Sequence, residues 1–147
     1  MEIIRSWLIA PANRPDFVGK FPGIGADCSV LDLEDGTPEQ DKQAARANLP
    51  ALVRQLRAAG LARGVYVRTN HPRSAHYGDD LLAAAAAAAD GVCIPKLGSV
   101  AELRNSSASW SPVYSSTAHR RASGGGPAVR VNAPAMSRPY RARRSDV

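Results

Sequence analysis

Three short apolar segments of this chain each end in charged side chains: Asp32-Leu33-Glu34-Asp35, Val67-Arg68-Thr69-Asn70 and Ile94-Pro95-Lys96. Between them lie stretches with helical spacing, so strands and helices alternate, and crossovers of that kind force neighbouring strands to run parallel. Charged groups gathered at the C-terminal ends of successive parallel strands are how a (β/α) barrel builds an active site. The pattern stops at about Arg104. The expected fold class is therefore α/β: about four β/α units of a partial (β/α)8 TIM barrel, where a full barrel takes roughly 250 residues, followed by an irregular tail. The division falls at residues 1–104 and 105–147.

The first strand is read over Ile3 to Ala10, with a short helix opening at Asn13-Arg14-Pro15-Asp16, where proline suits the first turn. Cys28 to Leu33 forms the second strand. Leu31 and Leu33 fall on one face, and Val30, Asp32 and Glu34 on the other. Thr37-Pro38-Glu39-Gln40 reads as a helix start with Thr37 as N-cap and Gln40 completing a capping box. Ala45, Leu49, Leu52, Val53 and Leu56 then recur at helical spacing, with a kink or restart expected at Pro50. Gly64 to Asn70 is the third strand, with Tyr66, Arg68 and Asn70 on one face. Asp79 and Asp80 open a third helix that continues through Ala83 to Ala89, where early acids suit the helix dipole. Gly91 to Pro95 is the fourth strand, and a fourth helix starts within Gly98 to Leu103.

Charge divides the chain in the same place. Residues 1–103 hold 11 Lys and Arg against 12 Asp and Glu, whereas 104–147 hold 8 Arg against the single acid Asp146. The net charge of +6 is thus a property of the tail, and a nucleic-acid reading must rest on the tail alone. Tyr140 is the only aromatic near the terminal Arg cluster, which disfavours base stacking and argues against nucleic acid as a partner. Ser, Arg, Gly and Pro dominate beyond residue 105 without apolar periodicity, so disorder is the physical expectation. Translation in a wrong reading frame would produce the same abrupt loss of pattern and acids. Cys28 and Cys93 match no metal-ligand spacing and read as buried core thiols. The apolar stretch from Trp7 to Ala12 is too short for a secretory signal, and no stretch reaches the roughly 20 residues of a membrane span. A cytoplasmic location with no membrane partner is expected.

As chemistry, the strand ends admit two readings each. Arg68 offers a planar fork that holds a carboxylate through two bonds, or else pairs with Asp32 or Glu34. Asp32, Glu34 and Asp35 suit the surroundings of a hydrated Mg²⁺, or else serve as loop acids and partners of Arg68 or Lys96. Lys96 neutralises or positions an anionic group; a Schiff base would require a depressed pKa that nothing nearby supplies. His71 begins a Pro-containing loop and reads as solvated.

The segments Arg5-Ser6-Trp7-Leu8-Ile9-Ala10-Pro11-Ala12-Asn13-Arg14-Pro15, Asp32-Leu33-Glu34-Asp35-Gly36-Thr37-Pro38, Lys42 with Ala45-Arg46, Val67-Arg68-Thr69-Asn70 and Gly91-Val92-Cys93-Ile94-Pro95-Lys96 resemble the HpcH/HpaI aldolase and citrate lyase beta-subunit family in order and spacing. The resemblance implies a homo-oligomeric barrel enzyme, a Mg²⁺-dependent carbon–carbon lyase. Such an enzyme cleaves malyl, citramalyl and similar acids or their coenzyme A thioesters by a retro-aldol or Claisen route. It implies that Arg68 binds substrate and that Glu34 and Asp35, with Asp32 and Lys96 beside them, lie near the metal. Gly36-Thr37, Thr69 and His71 depart mildly from the family's pattern. The family's direct metal ligands, a Glu on the fifth strand and an Asp on the sixth, have no counterpart after Lys96. The resemblance therefore implies a truncated chain that is inactive alone, names no metal ligand in it, and leaves Mg²⁺ without a tight site.

Overall fold

In the computed structural model, which describes residues 4–60, 64–106 and 108–109, four strands lie side by side in chain order. They are β1 (Trp7–Pro11), β2 (Cys28–Asp32), β3 (Val65–Arg68) and β4 (Gly91–Cys93), and all are parallel. The helical connections are α1 (Pro15–Val18) and α2 (Phe21–Ile24) after β1, a 3₁₀ turn (Glu39–Asp41) leading into α3 (Lys42–Ala58) after β2, and α4 (Tyr77–Ala86) after β3. This succession is the β/α repeat of a TIM barrel. The strands are shorter than the sequence expects: β1 begins only at Trp7, and β2, β3 and β4 end at Asp32, Arg68 and Cys93.

Strand alternation sends Ala10, Leu31, Leu33, Val65, Val67 and Val92 to the helix-facing side, where they form the main core with α3 and α4. Helix α3 adds Ala45, Leu49, Leu52, Val53 and Leu56, all buried. Each fully buried Leu or Val contributes about 1.5–3 kcal/mol of apolar transfer free energy. The opposite face carries a smaller cluster of Cys28, Val30 and Tyr66, against which Trp7 and Cys93 pack. The rings of Trp7 and Tyr66 lie 4.8 Å apart in a tilted arrangement. Gly64 enters β3 at φ +154°, and a Cβ there would stand 2.5 Å from Tyr66 Cε2, so only glycine fits beneath that ring.

Several local expectations change. Residues Lys42–Ala58 form one helix through Pro50, although the missing amide removes one i to i−4 bond. Thr37 caps no helix: its hydroxyl donates to Asp32 O at 2.7 Å, and the first helical residues follow Pro38 without a side-chain cap. The capping pair sits instead before the helical residues 100–106. There Ser99 Oγ accepts from Glu102 N at 3.1 Å while Glu102 Oε2 accepts from Gly98 N at 2.8 Å. Cys28 is buried as expected, but Cys93 is only half-buried at the edge of the sheet. Most of the expected tail, residues 110–147, lies outside the described residues.

Candidate functional site

Register explains how the strand-end charges meet. Pro11 faces Asp32, Asp32 faces Arg68, and Arg68 faces Cys93 across successive ladders. Asp32 and Arg68 therefore emerge side by side on the same face, above the Trp7 and Tyr66 rings. Arg68 Nε donates to Asp32 Oδ1 and Nη2 to Oδ2, both at 2.7 Å. The turn after β2 folds back to complete the cage, with Glu34 N donating to Oδ1 and Gly36 N to Oδ2, each at 2.8 Å. Each carboxylate oxygen thus receives two donors, which uses the roughly four lone-pair sites of the group. Gly36 is required for this approach, since a Cβ there would lie 2.5 Å from Asp32 Oδ2.

Electrostatics follows from that cage. Burial alone pushes the Asp32 carboxyl upward, but the Arg68 hydrogen bonds and the two amides outweigh it and hold the group below its ordinary value. Arg68 is raised in turn, chiefly by its bond to Asp32, against the opposing effect of its own burial. Its side chain remains 29% exposed, with Nη1 3.5 Å from Glu34 Oε2. Lys96 crosses from the end of β4 to hold Glu34 Oε1 at 3.0 Å and both Asp35 oxygens at 3.0 and 3.1 Å. Those bonds, Asp35 first and Glu34 second, raise the lysine above its ordinary value. Burial lifts the Cys93 thiol to about 11, so it is not a thiolate nucleophile at neutral pH.

The five residues singled out from sequence, Asp32, Glu34, Asp35, Arg68 and Lys96, thus form one cluster, with Glu34 pairing to both cations. Of the two partners open for Asp32, the arginine takes it. Asn70 does not join the face of Arg68: the strand has ended, and its side chain bonds to Leu33 O and Asp80 on the helix side. Gly36 and Thr37 were missed as site residues. Their signal in the sequence is a glycine directly after the acidic run, where backbone amides can close on a carboxylate.

The sequence profile of HpcH/HpaI aldolase/citrate lyase matches residues 5–125 of the 147. The chain belongs to this family. It is similar to the citrate lyase subunit beta-like protein of Deinococcus radiodurans, at 39% identity over 104 residues, covering 69% of this chain and 36% of that protein. The corresponding Mycobacterium tuberculosis protein is 38% identical over 98 residues, covering 66% and 33%. The chain therefore spans about a third of the length of these curated relatives. Among solved structures, M. tuberculosis CitE in complex with magnesium, acetoacetate and coenzyme A matches with a TM-score of 0.57 and 32% identity, over 72% of this chain and 38% of that one. The M. tuberculosis citrate lyase beta subunit complexed with oxaloacetate and magnesium matches with a TM-score of 0.54 and 34% identity, over 67% and 41%.

Magnesium demands several oxygen ligands in near-octahedral geometry. The described residues of this family member do not fit it. Asp32 has no spare lone pair, Asp35 and Glu34 Oε1 are held by Lys96, Glu34 Oε2 is left as a single oxygen without a hydrogen bond, and no group of three His, Cys, Asp or Glu side chains among the described residues could hold a metal ion.

Proposed function

We propose that these strand ends are the substrate-positioning portion of a carbon–carbon lyase acting on malyl- or citramalyl-type acids or their coenzyme A thioesters. Arg68 receives a substrate carboxylate through the Nη1 edge that Asp32 leaves free, and Lys96 keeps Glu34 and Asp35 beside it. The observation that carries this reading is the convergence of Arg68 and Lys96, from adjoining strands, on one carboxylate, Glu34. Three acids against two cations leave the cluster one negative charge. An anionic substrate therefore meets a site that has not yet enough positive charge to hold it tightly. The 147-residue chain by itself is accordingly a weak anion binder without turnover, and divalent-ion ligands would have to come from outside the described residues. A homo-oligomer is the matching assembly, in line with the family, and a cytoplasmic location goes with the sequence reading; no helix among the described residues is long and apolar enough to cross a membrane.

The test pairs an activity assay with a binding map. Purified chain is incubated with malyl and citramalyl thioesters and Mg²⁺, with no turnover expected, and is titrated with oxalate while amide and arginine Nε resonances are followed. Millimolar binding that perturbs Arg68 and Glu34 and vanishes in Arg68→Ala supports the reading. Perturbation confined to other surfaces overturns the site, and turnover abolished by Arg68→Ala overturns the inactivity.

A further inference from the structure

Behind the strand ends lies a second polar node that the site chemistry does not use. Lys42, at the first position of α3 and only 7% exposed, donates from Nζ to Leu33 O at 2.8 Å, Glu34 O at 3.1 Å and Asn70 Oδ1 at 2.9 Å. Three bonds satisfy the three donors of an ammonium. All three acceptors are neutral oxygens, so the group carries its desolvation cost without a directly bonded anion. The counter-charge is one residue removed. Asn70 donates from N and Nδ2 to Asp80 Oδ2 at 2.8 and 2.7 Å, and Asp80 Oδ1 accepts from Arg46 at 3.0 Å. Asn70 Nδ2 also donates to Leu33 O at 2.9 Å, so the exits of β2 and β3 are tied to α3 and α4 through one node.

Two of the Lys42 acceptors are consecutive carbonyls. Along a regular strand successive carbonyls point to opposite sides. Leu33 and Glu34 aim at one cation, so the backbone has left the strand direction at this step, and the ammonium is the one group that joins both carbonyls, beside Asn70 Nδ2 on Leu33 O and Thr37 N on Glu34 O. The same turn carries the Glu34 and Gly36 amides that cage Asp32, and the Glu34 and Asp35 side chains that Lys96 gathers. A merely space-filling residue would need no charge at this spot, and an apolar side chain would avoid the desolvation cost altogether.

We infer that Lys42 is the positioning residue of the strand-end site, fixing the Leu33–Gly36 turn and thereby the placement of Glu34, Asp35 and Asp32 against Arg68 and Lys96. Its functional meaning rests on the carboxylate-site reading given above. Its structural content does not.

The experiment is residue-resolved amide exchange by NMR on the full 147-residue chain, comparing wild type with Lys42→Met, which keeps the length of the side chain without its charge. Protection at the Glu34 and Gly36 amides falls at least 10-fold, while protection at Val30 and Leu31 inside β2 follows only the change in global stability. Asn70→Ala is the second variant in case Lys42→Met does not fold. It keeps the ammonium but removes a group that fixes it, and it gives a smaller loss, about 3-fold, at the same two amides. Oxalate-induced shifts at Arg68 weaken in parallel. Unchanged Glu34 and Gly36 protection, or a loss spread evenly through β2 and β3, overturns the inference. Wild-type chain that shows no oxalate response sinks the carboxylate-site reading alone, because the exchange result still decides what Lys42 holds.

Discussion

Asp32 and Arg68 are direct register partners at the end of the β2–β3 ladder and join through two parallel hydrogen bonds of 2.7 Å, with Asp32 only 2% exposed. Removing Arg68 leaves Asp32 without its counter-charge, whereas removing Asp32 leaves Arg68 with Glu34 at 3.5 Å. Arg68 reaches solvent and Asp32 does not, so the two truncations differ. Arg68→Ala strands a buried carboxylate and costs about 2–4 kcal/mol, whereas Asp32→Ala frees an arginine that water can serve and costs roughly 1–2 kcal/mol. Urea denaturation of both variants measures the order. Equal costs would mean that the pair behaves as an exposed one.

The same cage sets an acid limb. The folded Asp32 carboxyl lies below its ordinary value, so its contribution is fully present above the unfolded value, near pH 4, and is lost as pH falls through the lower folded value. Asp32→Asn has no such titration. Its urea midpoint falls less steeply below about pH 4 than that of wild type. Parallel midpoint-against-pH curves for the two proteins would show that other carboxylates carry the acid sensitivity.

Magnesium gives a cleaner test than activity. An ion present at 100 times its dissociation constant stabilises a protein by about 2.7 kcal/mol, which for a domain of this size shifts Tm by several degrees. Both oxygens of Asp32 and Asp35 and one of Glu34 are already bonded, and Glu34 Oε2, the buried oxygen left without a hydrogen bond, is a single ligand, too few for the ion, so thermal unfolding in millimolar Mg²⁺ and in chelator should agree within about 1 °C. A shift of several degrees, reversed by chelator, would require ligands that the cluster at Glu34 and Asp35 does not supply.

Gly36 should tolerate nothing larger. A methyl group there meets Asp32 Oδ2 at 2.5 Å and Pro11 Cγ at 3.2 Å, both fixed by the ladder. Gly36→Ala is expected to lose about 1–3 kcal/mol in urea unfolding, and to weaken the Arg68 Nε hydrogen bond as seen by its NMR shift. A neutral substitution would mean that the turn relaxes away from Asp32 at little cost.

The alternation of β and α units, and the faces of β2, were legible because strand and helix periodicities are local. So was the gathering of Arg68 with the acids, since parallel strands in chain order bring their ends together. Which acid would take the arginine was not legible: it depends on the one-to-one register of Asp32 with Arg68, which no local spacing encodes. Thr37 and Ser99 show the other limit. Both begin capping-box patterns, but Thr37 is drawn to the Asp32 carbonyl because Asp32 needs the turn folded over it, whereas Ser99 has no such competitor and caps. Asn70 likewise left the face its alternation assigned once the buried Asp80 offered it a charged acceptor.

Lys96 offers a final test, because its backbone and its side chain can be separated. It holds φ at +55°, a left-handed conformation that costs a non-glycine residue roughly 1 kcal/mol, while its ammonium group reaches Glu34 and Asp35 from a side chain that is 62% exposed. An exposed ion pair contributes little to stability. Lys96→Gly relieves the backbone and Lys96→Ala does not, so the glycine variant should exceed the alanine variant by about 1 kcal/mol in urea unfolding although both lack the charge. Both should nevertheless lose oxalate-induced shifts at Glu34, since the cation beside that carboxylate is gone. If the two variants are equally stable, the left-handed turn is not strained. If oxalate still perturbs Glu34 in both, Arg68 alone provides the positive charge at this mouth.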